Sequence, residues 1–120
     1  MYTFPFEKLE VWNKSRILTK KIYKVTWKFP DYEKYGLVSQ VRRATVSVCS
    51  NIAEGSSRNS GKDQTHFYNM AFSSLMETMN QLILSEDLEF LNAKTLSEFR
   101  NDIQFISLML NNLTLYSGRR

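Results

Sequence analysis

The residue types that most often carry chemistry are scarce here: the chain of 120 residues holds one histidine and one cysteine. His66 follows Asp63 by one helical turn, the spacing of the carboxylate-x-x-His ligands in di-iron bundles. Such a centre needs two of these pairs and further glutamates on facing helices, and one histidine cannot supply them. Cys49 has no histidine near it in sequence to draw off its proton, so an inert thiol beside a core is the expectation. "GSSRNSGKD" has the look of a phosphate loop. A P-loop, however, places four residues between its glycines and a Ser/Thr after the Lys. Here five residues separate Gly55 from Gly61, and Asp63 stands where magnesium would need a hydroxyl. Glu86, Asp87 and Glu89 lack the spacing of a calcium loop and read as a solvated helix end. These residues imply no enzyme, metal, cofactor or small-molecule substrate.

Cations are the more promising chemistry. Lys14, Lys21, Lys24 and Lys28 recur at spacings of 7, 3 and 4, which places them on one side of a helix, with Lys20 adjacent. Arg42 and Arg43 are neighbours in sequence and so project about 100° apart on a helix. Arg43 then joins Ser47, Ser50 and Glu54 in a polar line, while Arg42 lies nearer a packing interface. Arg58 and Lys62 fall in the following loop, close to a helix N-terminus. Residues 1–62 carry 12 Lys/Arg against 5 Asp/Glu, a balance of +7, and residues 63–120 carry 4 against 7, a balance of −3; together they make the chain's +4. A basic half suggests phosphate contacts, with RNA or DNA as partner. The competing reading is a solvated face that keeps the protein soluble.

Positioning those groups requires elements, and the apolar spacing is helical throughout. A first helix spans about 7–29, with Val11, Leu18, Ile22, Val25 and Phe29 on its core face and Pro30 as its end. A second spans about 35–54 on Val41, Thr45, Val48 and Ile52, with Gly55 as a C-terminal stop. A third spans about 61–91. Tyr68, Phe72, Leu75, Met79 and Leu82 form one edge, and Phe67, Ala71, Ser74 and Thr78 form a seam of mostly small residues. A fourth spans about 96–116 on Leu96, Phe99, Ile103, Ile106, Leu110 and Leu113, with Thr95 and Glu98 as a capping box. The chain is thus expected to be a single all-α domain over 1–120, an antiparallel up-down four-helix bundle.

Helices one and four carry more apolar surface than one bundle core covers. Trp12, Tyr23 and Trp27 form a second stripe on the first, and Phe105, Met109 and Tyr116 a second stripe on the fourth. The excess points to a homo-oligomer interface. A lone cysteine fits a reducing compartment, and no signal peptide or membrane-length apolar run is present, so a cytoplasmic location is expected.

"FEKLEVW", "FPDYEKYGLVSQVRRATVSVCSNIAEGSSR" and "FYNMAFSSLMETMNQL", in that order, resemble the four-helix bundle family encoded in intervening sequences of bacterial large-subunit ribosomal RNA genes, also labelled a ribosomal protein of the small subunit. The chain is similar, too, to the accessory variability protein of diversity-generating retroelements. The resemblance implies a ring-shaped homo-oligomer, a pentamer, that binds nucleic acid and in the retroelement case a reverse transcriptase. Gln40, Arg42, Arg43, Asn51, Glu54, Gly55 and Arg58 match the family's motif. Cys49 stands where the family commonly has proline or another small residue, and Ser73-Ser74 where it tends to have Gly-Ser. Asn51 and Glu54 are expected to bond the turn at Gly55 and a neighbouring helix. Two functional readings follow: a non-catalytic nucleic-acid-binding oligomer, or an assembly module whose partner is protein.

Overall fold

The computed structural model describes residues 1–118. Each periodic segment is a helix: α1 Glu10–Thr26, α2 Leu37–Ser56, α3 Gly61–Asp87 and α4 Ala93–Gly118. Short 3-10 turns, Pro5–Lys8 and Asp31–Glu33, precede α1 and α2. Among the described residues there is no strand. Among the described residues the helix backbones lie close together in the pairs α1–α2, α2–α3, α3–α4 and α4–α1, and not along either diagonal. That is an up-down bundle, in which chain neighbours are spatial neighbours. Antiparallel pairing is visible residue by residue: Thr19 meets Thr45 and Cys49, while further along α1 Thr26 meets Arg42 at the start of α2.

The core lies where the periodicity places it. Leu18 and Ile22 of α1, Val41, Val48 and Ile52 of α2, Leu75 and Leu82 of α3, and Ile106 and Leu110 of α4 are all buried. Each such side chain contributes about 1.5–3 kcal/mol by leaving water. Phe72 and Met79 are half-buried against this core, and the small seam of α3 lies inside, with Ala71 and Thr78 buried. Ser74 of that seam bonds Ser47 of α2 at 2.9 Å. Ser47 therefore belongs to the α2–α3 interface rather than to an outward polar line.

Most helix ends differ from the sequence expectation by two or more residues: α1 starts at Glu10 rather than near residue 7, because Leu9 is extended after the Pro5–Lys8 turn, and α2 starts at Leu37 and α4 ends at Gly118. α1 stops at Thr26, short of Phe29, because the Pro30 ring excludes a helical approach to the Thr26 carbonyl. Residues 27–29 turn away with Lys28 N–H donating to Val25 O and Phe29 N–H to Thr26 O. α2 runs through Gly55 to Ser56, so Gly55 does not stop it. Its glycine serves close packing instead: a Cβ at Gly55 would lie 2.6 Å from Cε1 of the buried Tyr68 ring on α3. α3 ends at Asp87 because Glu89 adopts a left-handed φ of 66°. Phe90 N–H then reaches back to Ser85 O and Glu89 N–H to Glu86 O, the paired bonds of a Schellman end. α4 begins at Ala93, and its cap is Asn92, whose Oδ1 accepts from Thr95 N–H at 2.8 Å. Thr95 is inside the first turn rather than its cap.

Candidate nucleic-acid interface

Helix α1 carries its lysines outward because the opposite face is taken by the core. Lys14, Lys20, Lys21 and Lys24, together with Lys28 just beyond the end of α1, are all exposed. They are not equivalent. Lys21 Nζ lies 3.0 Å from Asp102 Oδ2 of α4, and Lys14 Nζ sits 5.9 Å from the Phe105 ring centre. Lys21, Lys24 and Lys28 line a groove between α1 and α4 whose far wall holds Glu98 and Asp102. Lys20 lies on the α2 side of the helix, beside Ile17, Tyr23 and Val46. Two lysines are thus drawn to α4 partners, while Lys20, Lys24 and Lys28 have no ion pair among the described residues.

The adjacent arginines of α2 part company as their 100° separation requires. Arg43 is exposed on the outer surface. Arg42 turns back onto α1: its Nε donates to Thr26 Oγ1 at 2.9 Å and its Nη2 to Tyr23 O at 3.2 Å. The guanidinium also stacks 4.4 Å from the Tyr23 ring centre. It adds a charged donor to a carbonyl in the last turn of α1 that already accepts from Trp27 N–H, where the helix dipole favours a cation. Arg58 and Lys62 sit near the other end of the bundle, about 22 Å along α2 from Arg43 at 1.5 Å per residue. Arg58 stacks on Phe67 at 4.4 Å and stands 4.0 Å from Glu54 across one helical turn. The cations named from the sequence therefore form two groups rather than one stripe.

The remaining motif residues are mainly structural. Asn51 is buried, and its Nδ2 donates to Ser47 O at 2.9 Å and Ser47 Oγ at 3.0 Å. It props the Ser47–Ser74 bridge between α2 and α3 and does not bond the turn after Gly55. Glu54 and Gln40 are exposed.

Among the residues expected at an oligomer interface, Trp27, Tyr23, Phe105 and Tyr116 are exposed in the protomer. Trp12 is half-buried, with the Phe6 ring edge-on at 4.9 Å and the Arg16 guanidinium 5.2 Å away. Met109 packs against the protomer's own core. Exposed Ile17, Leu108 and Leu115 extend the apolar outer surface of α1 and α4.

Tyr32, Lys34 and Tyr35 escaped sequence reasoning because the first two fall between helical periods and Tyr35, at the edge of the expected second helix, is off its core face. Their signal was two tyrosines in a short polar turn between Pro30 and Gly36, where no core face can take them.

Cys49 is half-buried, and Thr19 Oγ1 lies 3.5 Å from its sulfur. Burial pushes its thiol above the ordinary range, outweighing the bond from Thr19. A thiol so shifted is protonated near neutral pH and a poor nucleophile. His66 is exposed, edge-on to Phe67 at 5.4 Å. Among the described residues no group of three or more His, Cys, Asp or Glu could hold a metal ion, and no helix is long and apolar enough to cross a membrane.

A family model described as 23S rRNA-intervening sequence protein matches residues 7–112. In the solved structures, the chain is similar to a protein of unknown function from the S23 ribosomal protein family of Bacteroides thetaiotaomicron VPI-5482. The TM-score is 0.78 at 23% identity, covering 87% of this chain and 97% of that one. At that identity the likeness speaks for the four-helix fold. No curated protein matches the sequence.

Proposed function

Since the chain belongs to the 23S rRNA-intervening sequence protein family, we propose that it is a non-catalytic, self-associating bundle that binds RNA or DNA through the outer face of α1 and the start of α2. The observation that carries this reading is the exposure of Lys20 and Lys24 on α1, Lys28 in the turn after it and Arg43 on α2, with no ion pair among the described residues. Cations so placed neutralise phosphates and release counterions, which gives affinity without sequence preference. Ile17 of α1 and Phe105, Leu108 and Leu115 of α4 support self-association, since they keep 48–60% of their surface exposed in the protomer. A closed ring, a pentamer in this reading, buries such patches on every copy.

The same apolar surface favours the second reading, an assembly module with a protein partner such as a reverse transcriptase and no nucleic acid. Replacing Lys20, Lys24, Lys28 and Arg43 together by Gln separates the two. Labelled structured RNA and DNA are titrated at two salt concentrations, with mass checked by light scattering. The first reading expects tight, steeply salt-dependent binding that the fourfold variant loses while its mass is unchanged. No binding by the parent protein at low salt, with the oligomer intact, leaves the second reading.

A further inference from the structure

We propose that the turn between α1 and α2 is a stacking platform for unpaired bases, on which a single strand lays its rings over Trp27 and Tyr35 and its phosphates against Lys24, Lys28 and Lys34. This deepens the nucleic-acid reading and rests on it.

Three rings on the segment that joins α1 to α2 stay in water: Trp27 is 82% exposed, Tyr32 78% and Tyr35 88%. None serves the core. Phe29, between them in sequence, does, and it packs on Phe90 at 5.6 Å. Tyr32 meets the same Phe90 at 6.2 Å, tying the turn to the α3–α4 connection. Glu33 Oε1 accepts from Leu37 N–H at 3.1 Å and anchors the turn to α2. Arg42 holds the end of α1. The rings are therefore mounted on braced backbone, which lowers the ordering cost of binding.

Charge decides what such rings suit. Residues 20–43 contain seven Lys/Arg and two Asp/Glu. Of these, Lys21 is paired with Asp102, Arg42 is bonded to α1 and Glu33 is engaged by Leu37 N–H, which leaves Lys20, Lys24, Lys28, Lys34 and Arg43 against Asp31 within the segment, with Glu98 and Asp102 of α4 across the groove from Lys24 and Lys28. Lys34 Nζ lies 5.6 Å from the Tyr35 ring centre. Trp27, Lys34 and Arg42 line a shallow hollow with Phe29 and Pro30. Protein–protein contact surfaces are enriched in aromatics but depleted of lysine. Rings interleaved with lysines are instead the pattern of single-strand binders, where each base stacks on a ring and cations track the backbone. A paired duplex offers no free base faces and gains nothing from Trp27.

The test uses Trp12→Phe, which leaves Trp27 as the one remaining tryptophan. Oligo(U), oligo(dT) and a fully paired duplex of equal charge are titrated while tryptophan emission and labelled-strand anisotropy are followed. The single strands are expected to quench Trp27 and to bind at least about tenfold more tightly than the duplex. Trp27→Ala with Tyr35→Ala is expected to remove that preference, leaving duplex binding and mass unchanged. Equal binding of both forms without quenching overturns the platform and leaves the broader nucleic-acid reading standing. No binding of either form at low salt removes both. A lower mass for the double variant overturns the platform by assigning the rings to contact between copies.

Discussion

Arg42 grips Tyr23 twice, by a bond from its guanidinium to the Tyr23 carbonyl at 3.2 Å and by stacking over the Tyr23 ring at 4.4 Å. With the bond to Thr26 Oγ1, this makes one side chain of α2 a clamp on the last turn of α1. Arg42→Ala is expected to cost about 1–3 kcal/mol, combining lost charge-assisted bonds with lost cation–π attraction. Arg42→Lys should recover little, because an ammonium cannot bond and stack in one plane. Urea denaturation of the two variants checks this, and a lysine variant as stable as the parent would refute it.

Gly55 leaves room for the Tyr68 ring of α3 to lie against the α2 backbone. Alanine at 55 gains helix propensity of about 1 kcal/mol. It also drives a methyl into a buried ring, and overpacking costs typically about 1–3 kcal/mol. Gly55→Ala is expected to lower the melting temperature on balance, and Gly55→Val to lower it further. A rise on alanine substitution would show that Tyr68 moves aside freely.

Glu89 closes α3 in a conformation that suits glycine. The left-handed region costs a residue with a Cβ about 1–2 kcal/mol. Glu89→Gly is expected to recover part of that, offset by the greater freedom of glycine in the unfolded chain. A melting temperature raised by a few degrees is the expected result, and a fall would show that the Glu89 side chain stabilises the turn in its own right.

Asp102 neutralises Lys21 across the α1–α4 groove at 3.0 Å. The pair is largely exposed, so its loss should change stability by less than about 1 kcal/mol. Function should respond more. Asp102→Asn removes a carboxylate that competes with phosphate for Lys21, and is expected to tighten nucleic-acid binding at low salt and steepen its salt dependence. Fluorescence anisotropy at several salt concentrations measures both.

Cys49 is held protonated by burial, its folded pKa lying above that of the exposed thiol. The folded state keeps this proton to a higher pH than the unfolded state does. Its stabilising contribution is therefore complete below the unfolded thiol's pKa and declines as pH rises towards the folded one. Cys49→Ser is expected to flatten the alkaline loss of stability. Reaction with a thiol reagent should be slow in the native protein and fast in urea; equal rates would exclude the shift.

The four helices were legible because a bundle core imposes a 3- and 4-residue recurrence that needs no partner to be seen. Leu18 with Ile22, and Ile103 with Ile106 and Leu110, announced their burial by spacing alone. Helix ends were less legible. Gly55 reads as a stop in one dimension, yet it is a contact point once Tyr68 lies across it. Thr95 and Glu98 formed a plausible cap, but the chain capped itself three residues earlier with Asn92.

The candidate site divides along the same line. That the first half is basic, that α1 turns its lysines outward, and that Arg42 and Arg43 diverge all follow from composition and a 100° step. Which cations remain available does not, because pairing partners come from other helices: Asp102 reaches Lys21 from α4, while Arg42 is drawn onto Tyr23 and Thr26 of α1. Nor does periodicity say anything of Tyr32 and Tyr35, which lie between helices. Side-chain recurrence is a property of one helix and is written locally. Pairing and close approach arise between helices, and they exist only when the bundle has closed.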